Sequence, residues 1–336
     1  MRQVLDRLHS YKKLKNKIKY LVLFFPTLGF FISNNNIFGE SPDYESYINF
    51  FNLIRKETLD EVLLVRFEIG FKIISLILVN LFTSNIIVFS LLVTISLFIK
   101  VLSIQFYTAK TNIFLMAIWF YFIRYFPLFE LTQIRAGIST GFFLMAYIFS
   151  NRYNYKKSII FYILSITFHY SAIIALPVLL IKKTELKLLP ILSLSTFILI
   201  YLSKHYLVQS LYDETDLITM YAVNGYGDSN LNPFSSSLFI DWLIIVASIY
   251  YWNRLTNISK KIIFIEVIGM CIFYGSIDYP VISYRLREYL SVFWIIFIID
   301  ILKSSNTKHL GYIAIALSTV CYFYIYFIRE PAFFLN

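Results

Sequence analysis

The chain has 336 residues, 58% of them hydrophobic and 15% charged, and its mean hydropathy is +0.68. So little polar surface excludes an ordinary water-soluble globule. The formal charge of +10 comes from 30 Lys and Arg against 20 Asp and Glu, and most of the basic residues lie at the ends of apolar runs. This placement is typical of a membrane protein with basic cytoplasmic loops, and it argues against a nucleic-acid partner.

The chain begins with a basic tail at residues 1–19 and an apolar run at residues 20–33. This run resembles a secretory signal, but residues 27–31 lack the small residues at which a signal peptide is cut. We therefore expect an uncleaved first span and a cytoplasmic N-terminal tail. The polar segment that follows, residues 34–66, is then expected to face outward.

Ten further apolar runs predict helices that cross or enter a membrane: residues 67–82, 86–106, 113–126, 136–150, 158–181, 188–202, 238–252, 262–277, 289–302 and 310–328. They indicate an all-α polytopic integral membrane protein with about 10–12 transmembrane or re-entrant helices. No linker rich in Pro, Gly or Ser divides the chain. Residues 1–336 are therefore expected to form one membrane domain, with a second outer segment at residues 204–237.

The basic residues between these runs constrain the topology, because basic loops favour the cytoplasm. Four such clusters lie at residues 152–157, 182–187, 254–261 and 303–308. They cannot all be cytoplasmic if every run crosses once. The conflict disappears if run 67–82 is interfacial or re-entrant and if run 158–181 breaks near His169 and returns. Re-entrant backbone is tolerated only where protein or a watery cavity covers it, so this break indicates a cavity.

Two ionisable residues within or beside apolar runs are candidates for function, because such residues are costly in a membrane. Arg135 opens a helix on the predicted outer side, where a guanidinium could hold a diphosphate or a sugar, or could simply reach up to the headgroups. His169 lies in the middle of an apolar run. It is expected to be a general base for a sugar hydroxyl or a substrate ligand, unless it only hydrogen-bonds to a neighbouring helix.

A polar motif at residues 284–289 begins a later span. Helical spacing places Arg285, Glu288 and Tyr289 on one face and turns Arg287 away. A pair between Arg285 and Glu288 could be purely structural, although two clustered arginines suit an anionic ligand. The early motif with Asp43, Tyr44 and Tyr47 fits either an interfacial helix or a surface for carbohydrate stacking.

The sequence gives little support for a metal site. Glu214 and Asp216 could hold a divalent ion, but an acidic loop outside a membrane is usually solvated surface. Cys271 and Cys321 lie inside apolar runs, and their spacing is not that of metal ligands. Apart from metal binding, the aromatic and glycine-bearing stretch 221–228 fits a loop that binds the acceptor. We expect no metal and no cofactor.

Several of these motifs occur together in a known family. They are Asp43-Tyr44 with Tyr47, Glu68 to Gly70, Gln133-Ile134-Arg135-Ala136, Phe168-His169-Tyr170-Ser171-Ala172, and Arg285-Leu286 with Tyr289. In these motifs the chain resembles the EpsG branch of Wzy-type polysaccharide polymerases over most of its length. The block from Gln133 to Pro177 is the most specific part of the resemblance.

The resemblance implies a multi-pass, GT-C-like glycosyltransferase of the bacterial inner membrane. It would transfer a glycan chain from undecaprenyl diphosphate to a sugar hydroxyl of another lipid-linked repeat unit at the outer face. Its partners would be that lipid-linked oligosaccharide, membrane lipid and a chain-length regulator. Arg135, His169 and Arg285 would be catalytic. The substrate would be bound by Asp43, Tyr44, Tyr47, Gln133, Tyr170, Tyr284, Arg287, Glu288 and Tyr289.

Three other membrane functions use similar residues. A flippase for lipid-linked oligosaccharides would share the basic cavity, but it should show repeat symmetry and needs no long outer segments. A membrane O-acyltransferase would also use an intramembrane histidine, yet on the cytoplasmic side. An O-antigen ligase, which moves finished glycan, is close in mechanism and stays open at this stage.

Overall fold

The computed structural model describes residues 42–108, 110–181, 186–212, 235–277 and 279–329. Regular secondary structure in these ranges is entirely helical, which confirms the predicted all-α class. The expected first span, the acidic pair Glu214 and Asp216, and the stretch 221–228 lie outside the described residues. The chain divides into two compact units, Met1–Ala172 with Phe323–Asn336, and Ile173–Tyr322. The single membrane domain expected for residues 1–336 stays a prediction.

The first unit contains eight described α-helices in chain order. They are α1 (Pro42–Lys56), α2 (Leu59–Leu64), α3 (Ile69–Leu81), α4 (Asn85–Tyr107), α5 (Thr111–Arg124), α6 (Phe126–Phe129), α7 (Ile134–Asn151) and α8 (Tyr155–Phe168). Helix α7 is buried along most of its length and packs on α4 and α8. Its small residues allow this close packing, because helices approach most closely where side chains are short.

Helices α7 and α8 form an antiparallel hairpin that is fixed by two serines. Ser139 Oγ donates to the Ser165 carbonyl at 2.7 Å, and Ser165 Oγ donates to the Ser139 carbonyl at 2.9 Å. In an antiparallel pair, moving four residues back along α7 corresponds to moving four residues forward along α8. The residues one turn from the two serines are Arg135 and His169, so the hairpin brings these two positions to the same end.

The break predicted near His169 is confirmed. Helix α8 ends at Phe168, and His169 has an extended backbone with φ −160° and ψ 120°. A 3₁₀-helix, Tyr170–Ala175, and a short helix α9 (Leu176–Ile181) follow. The return of the chain to the side it came from stays a prediction.

Helix α3 fits the interfacial or re-entrant role expected for run 67–82. Its 13 residues span about 20 Å, which is shorter than the roughly 30 Å of a bilayer's hydrocarbon core. Ile69, Ile73, Ile77 and Leu81 lie four apart and are all exposed, whereas the opposite face is buried. An exposed apolar stripe of this kind suits lipid rather than water.

The second unit continues the helical pattern in its described part. Its remaining α-helices are α10 (Leu189–Tyr212), α11 (Ser236–Tyr250), α12 (Asn257–Gly275), α13 (Pro280–Ser291), α14 (Trp294–Lys303) and α15 (Lys308–Phe323). Helix α12 packs on α10, α13 and α14. Asp300 of α14 accepts hydrogen bonds from Thr256 and Ser259 and so holds the start of α12.

The predicted run 289–302 differs from the structure. A polar first part, Pro280–Ser291, is already helical, and a second helix begins at Trp294. Hydropathy missed α13 because its polar and charged residues lower the average. By length and composition, two helices of the described residues could cross a membrane, Asn85–Tyr107 and Lys308–Tyr326, and five further apolar helices are shorter.

Candidate functional site

The site of the first unit is organised by a carboxylate. Glu68 precedes α3 and is only 3% exposed. Its Oε1 lies 3.0 Å from His169 Nδ1, and its Oε2 lies 2.5 Å from Arg135 Nη1. One acidic side chain therefore binds both of the residues that the sequence marks as costly in a membrane. We call Glu68, Arg135 and His169 the bridged triad.

A glycine allows α3 to bring Glu68 to the hairpin. A Cβ atom added at Gly70 would lie 2.7 Å from Thr167 Oγ1 and 2.8 Å from the Thr167 carbonyl oxygen. Real Cβ contacts are longer than this, so only glycine permits the present approach of α3 to the end of α8. The motif from Glu68 to Gly70 thus contains both the carboxylate and the glycine that allows this carboxylate to reach Arg135 and His169.

Gly70→Ala is expected to destabilise the fold by about 1–3 kcal/mol, because one of the two atoms it would meet, the Thr167 carbonyl oxygen, is backbone and cannot turn aside. The matched control is Gly269→Ala in α12, where the nearest atom would be Leu290 Cβ at an ordinary 3.6 Å. The midpoint of thermal unfolding in detergent distinguishes the two. Equal midpoints for both variants would contradict the close approach at Gly70.

Aromatic rings surround the guanidinium of Arg135. Its central carbon lies 4.7 Å from the centre of the Phe67 ring and 5.9 Å from that of Tyr47. A cation over an aromatic face is attracted by the ring's electron density, and more strongly where water is excluded. Tyr47 is 2% exposed and packs also against Phe71 and Phe89. These contacts hold Arg135 in place beside Glu68.

The charge state of Glu68 follows from its partners. It lies in the link before α3, outside the helices that are long enough to cross a membrane. Burial alone would raise the pKa of Glu68, but the hydrogen bond with His169 and the charge of Arg135 outweigh burial and lower this pKa to about 2. Glu68 is therefore ionised at neutral pH.

An ionised carboxylate can only accept hydrogen bonds, so His169 Nδ1 must carry the proton that it shares with Glu68. In the neutral ring, the second nitrogen, Nε2, is then the basic one. The same arrangement orients catalytic and metal-binding histidines in many proteins. The side chains of His169 and Arg135 are 12% and 15% exposed, so both can be reached from outside the core.

The other predicted site residues of the first unit have different environments. Gln133 precedes α7, and its carbonyl accepts a hydrogen bond from the Gly137 amide at 2.8 Å. Tyr170 is 59% exposed directly after His169. Asp43 and Tyr44 lie in the first turn of α1, and the Tyr44 ring stacks on Phe89 at 4.9 Å. Of these early residues, Tyr47 is the one that contacts Arg135. Their substrate-binding roles stay predictions.

The later predicted residues belong to the second unit. Arg287 is 4% exposed and donates a hydrogen bond to Asp241 of α11, which is fully buried. Tyr289, expected beside Arg285 and Glu288, is 1% exposed, whereas those two are half-buried. The Tyr284 ring packs on Phe273 at 5.4 Å. The Arg287–Asp241 pair joins α13 to α11, and the roles of all five residues toward substrate stay predictions.

Glu68 was not predicted as a site residue, although it belongs to one of the motifs in which the chain resembles the family. It also missed a buried network around Glu130, whose carboxylate accepts hydrogen bonds from Lys100 and Ser96 of α4 and from Tyr121 of α5. A signal existed, because Lys100 interrupts an apolar run and charges there are rarely incidental.

Comparison with known proteins adds one match. The model of a family described as the EpsG family matches residues 10–336. No curated protein and no solved structure matches the chain.

Proposed function

The chain belongs to the EpsG family, and on that premise we propose that it is a membrane glycosyltransferase that polymerises lipid-linked oligosaccharide repeat units. It transfers a growing glycan from undecaprenyl diphosphate to a sugar hydroxyl of another lipid-linked repeat unit. It does so at the outer face of the bacterial inner membrane, as a multi-pass, GT-C-like protein. The observation that carries the proposal is the bridged triad, in which Glu68 binds both His169 and Arg135.

The proposed reaction forms a bond between the acceptor hydroxyl oxygen and the anomeric carbon of the donor sugar. It breaks the bond between that carbon and the diphosphate, which leaves with the bonding electrons. His169 Nε2 takes the hydroxyl proton as the new bond forms. Glu68 supports this step because it keeps Nδ1 protonated and fixes the orientation of the ring.

Arg135 has two tasks in this mechanism. Its Nη1 holds Glu68 and the side chain also hydrogen-bonds to Tyr47. The remaining N–H groups of the planar guanidinium are donors of the kind that diphosphate oxygens accept. Charge develops on the diphosphate as it leaves, and a cation placed in advance stabilises that charge without reorganising. We extend the same anion-binding role to Arg285 of the second unit and keep a substrate-binding role for Tyr284, Arg287, Glu288 and Tyr289 of α13. Carrier lipid and a chain-length regulator are the proposed partners.

Cells that lack this chain are expected to lose long polysaccharide and to accumulate single repeat units on the carrier lipid at the outer leaflet. The reason is that repeat synthesis and export continue while the joining step stops. Gel analysis of glycan length, with mass analysis of lipid-linked intermediates, measures both effects. Intermediates held at the cytoplasmic leaflet would instead indicate a flippase. Normal polymer that is not attached to its final acceptor would indicate a ligase, and normal polymer that lacks only acyl groups an O-acyltransferase.

A further inference from the structure

The buried network around Glu130 lies deep in the apolar part of the first unit. Lys100, Ser96, Tyr121 and Glu130 are each completely buried. Lys100 is the sixteenth of the 23 residues of helix α4, so about two turns of helix separate it from the nearer end. Two buried charges are retained at this depth only if they are well paired, since an unpaired one is very costly.

The Glu130 carboxylate connects three segments. Its Oε1 accepts hydrogen bonds from Lys100 Nζ at 2.6 Å and from Ser96 Oγ at 2.7 Å, and its Oε2 accepts one from the Tyr121 hydroxyl. Glu130 itself follows α6, in the short link of residues 130–133 that leads into α7. The side chain therefore ties this link to both α4 and α5.

The network also touches the first turn of α7. A Cβ atom added at Gly137 would lie 2.9 Å from Ser96 Oγ, 3.0 Å from the Phe129 carbonyl oxygen and 3.4 Å from Lys100 Nζ. Helix α7 thus begins in direct contact with the paired charges. Arg135 is two residues before Gly137, in the same turn.

A link without regular helical bonding needs such support. In an apolar surrounding, backbone groups outside helices are tolerated only where protein satisfies them and holds them in place. Here the Gln133 amide donates to the Leu128 carbonyl at 3.0 Å, and the Glu130 side chain anchors the same segment. The position from which Arg135 reaches Glu68 is therefore set by the segment that Glu130 holds.

We propose that Lys100 and Glu130 are positioning residues: their buried ion pair fixes the link at residues 130–133 and so sets the place of Arg135 in the bridged triad. The effect of this ion pair on the polymerisation rate rests on the proposed function. Its effect on the order of residues 130–133 does not, because that order can be measured without an activity assay.

The test compares Lys100→Met, Glu130→Gln and the double variant in the full-length protein in lipid nanodiscs. Each single change leaves one buried partner uncompensated and is expected to lower the amount of folded protein. The double variant removes both charges. Its glutamine oxygen can still accept from one of the two hydroxyls, Ser96 or Tyr121, and its NH₂ group can donate to the other. We expect the double variant to accumulate normally and to exchange backbone amide hydrogens at residues 130–138 at least about tenfold faster than wild type.

The exchange of α8 and of the second unit should not change. Arg287→Met with Asp241→Asn is the matched control, since it removes another buried pair and should leave exchange at residues 130–138 as in wild type. The polymerisation rate of the Lys100→Met/Glu130→Gln variant is expected to fall by about tenfold, the range seen when groups that orient catalytic residues are removed.

Three results decide the inference. Wild-type exchange at residues 130–138 in the double variant would overturn it, and so would a uniform increase over the whole first unit, which indicates a general stabiliser. Faster local exchange in a protein whose wild type forms no polymer would support the positioning role and contradict only the proposed function.

Discussion

Replacing His169 with alanine is expected to lower the rate of polymer formation by about 10²- to 10⁴-fold. The variant loses the nitrogen that we propose takes the proton from the acceptor hydroxyl, while Glu68 and Arg135 remain paired. The measurement is the rate at which the full-length protein in lipid vesicles extends a purified lipid-linked repeat unit, followed by gel analysis of chain length.

The matched control is His309→Ala, which removes an exposed histidine at the start of α15. It should leave the rate unchanged. Protein levels in the membrane must be equal for both variants, so that a folding defect is not read as a loss of chemistry. Long polymer formed at the wild-type rate by His169→Ala would remove the base from the proposed mechanism.

Glu68→Gln is expected to have an effect of similar size, about 10²- to 10⁴-fold, by a different route. The glutamine oxygen can still accept a hydrogen bond from Arg135, but its NH₂ group then faces His169 Nδ1. A donor at this position favours the ring form with the proton on Nε2, which can no longer act as a base. Substrate binding should change little.

The same extension assay measures the second prediction, at several concentrations of the donor lipid. The turnover number should fall while KM stays close to its wild-type value. Asp60→Asn, at an exposed acidic residue of α2, makes the same change of charge and should have no effect. A Glu68→Gln protein with normal turnover would show that the carboxylate does not act through His169.

Local features of the fold could be predicted from the sequence where a physical conflict was visible. The four basic clusters cannot all be cytoplasmic if every apolar run crosses the membrane once, so a break near His169 was predicted. In the structure, helix α8 ends at this point. Arg135 and His169 were selected because each is costly beside or within an apolar run. That they share one partner could not be predicted, since Glu68 is 101 residues from His169.

The missed residues were concealed by their surroundings in the sequence. Glu68 follows an acidic, polar segment, and no local pattern indicates that it is almost completely buried. Lys100 lies in a run whose average hydropathy stays high despite one charge. Its partner Glu130 is 30 residues away, and no local pattern connects them. Pairing between distant residues needs the packing of α4, α5 and α7, which hydropathy does not contain.

The bridging carboxylate also governs when the first unit's site becomes attractive to anions. While the imidazole is uncharged, the charges of Glu68 and Arg135 cancel, so the bridged triad itself carries no net charge that would attract anionic lipids. In the proposed mechanism, His169 takes a proton and the sum of the three charges becomes positive at the moment when the departing diphosphate becomes more negative. In the same mechanism, release of that proton ends the attraction and frees the spent carrier lipid. The triad would therefore attract the diphosphate only during the reaction and would not bind other anionic lipids between reactions.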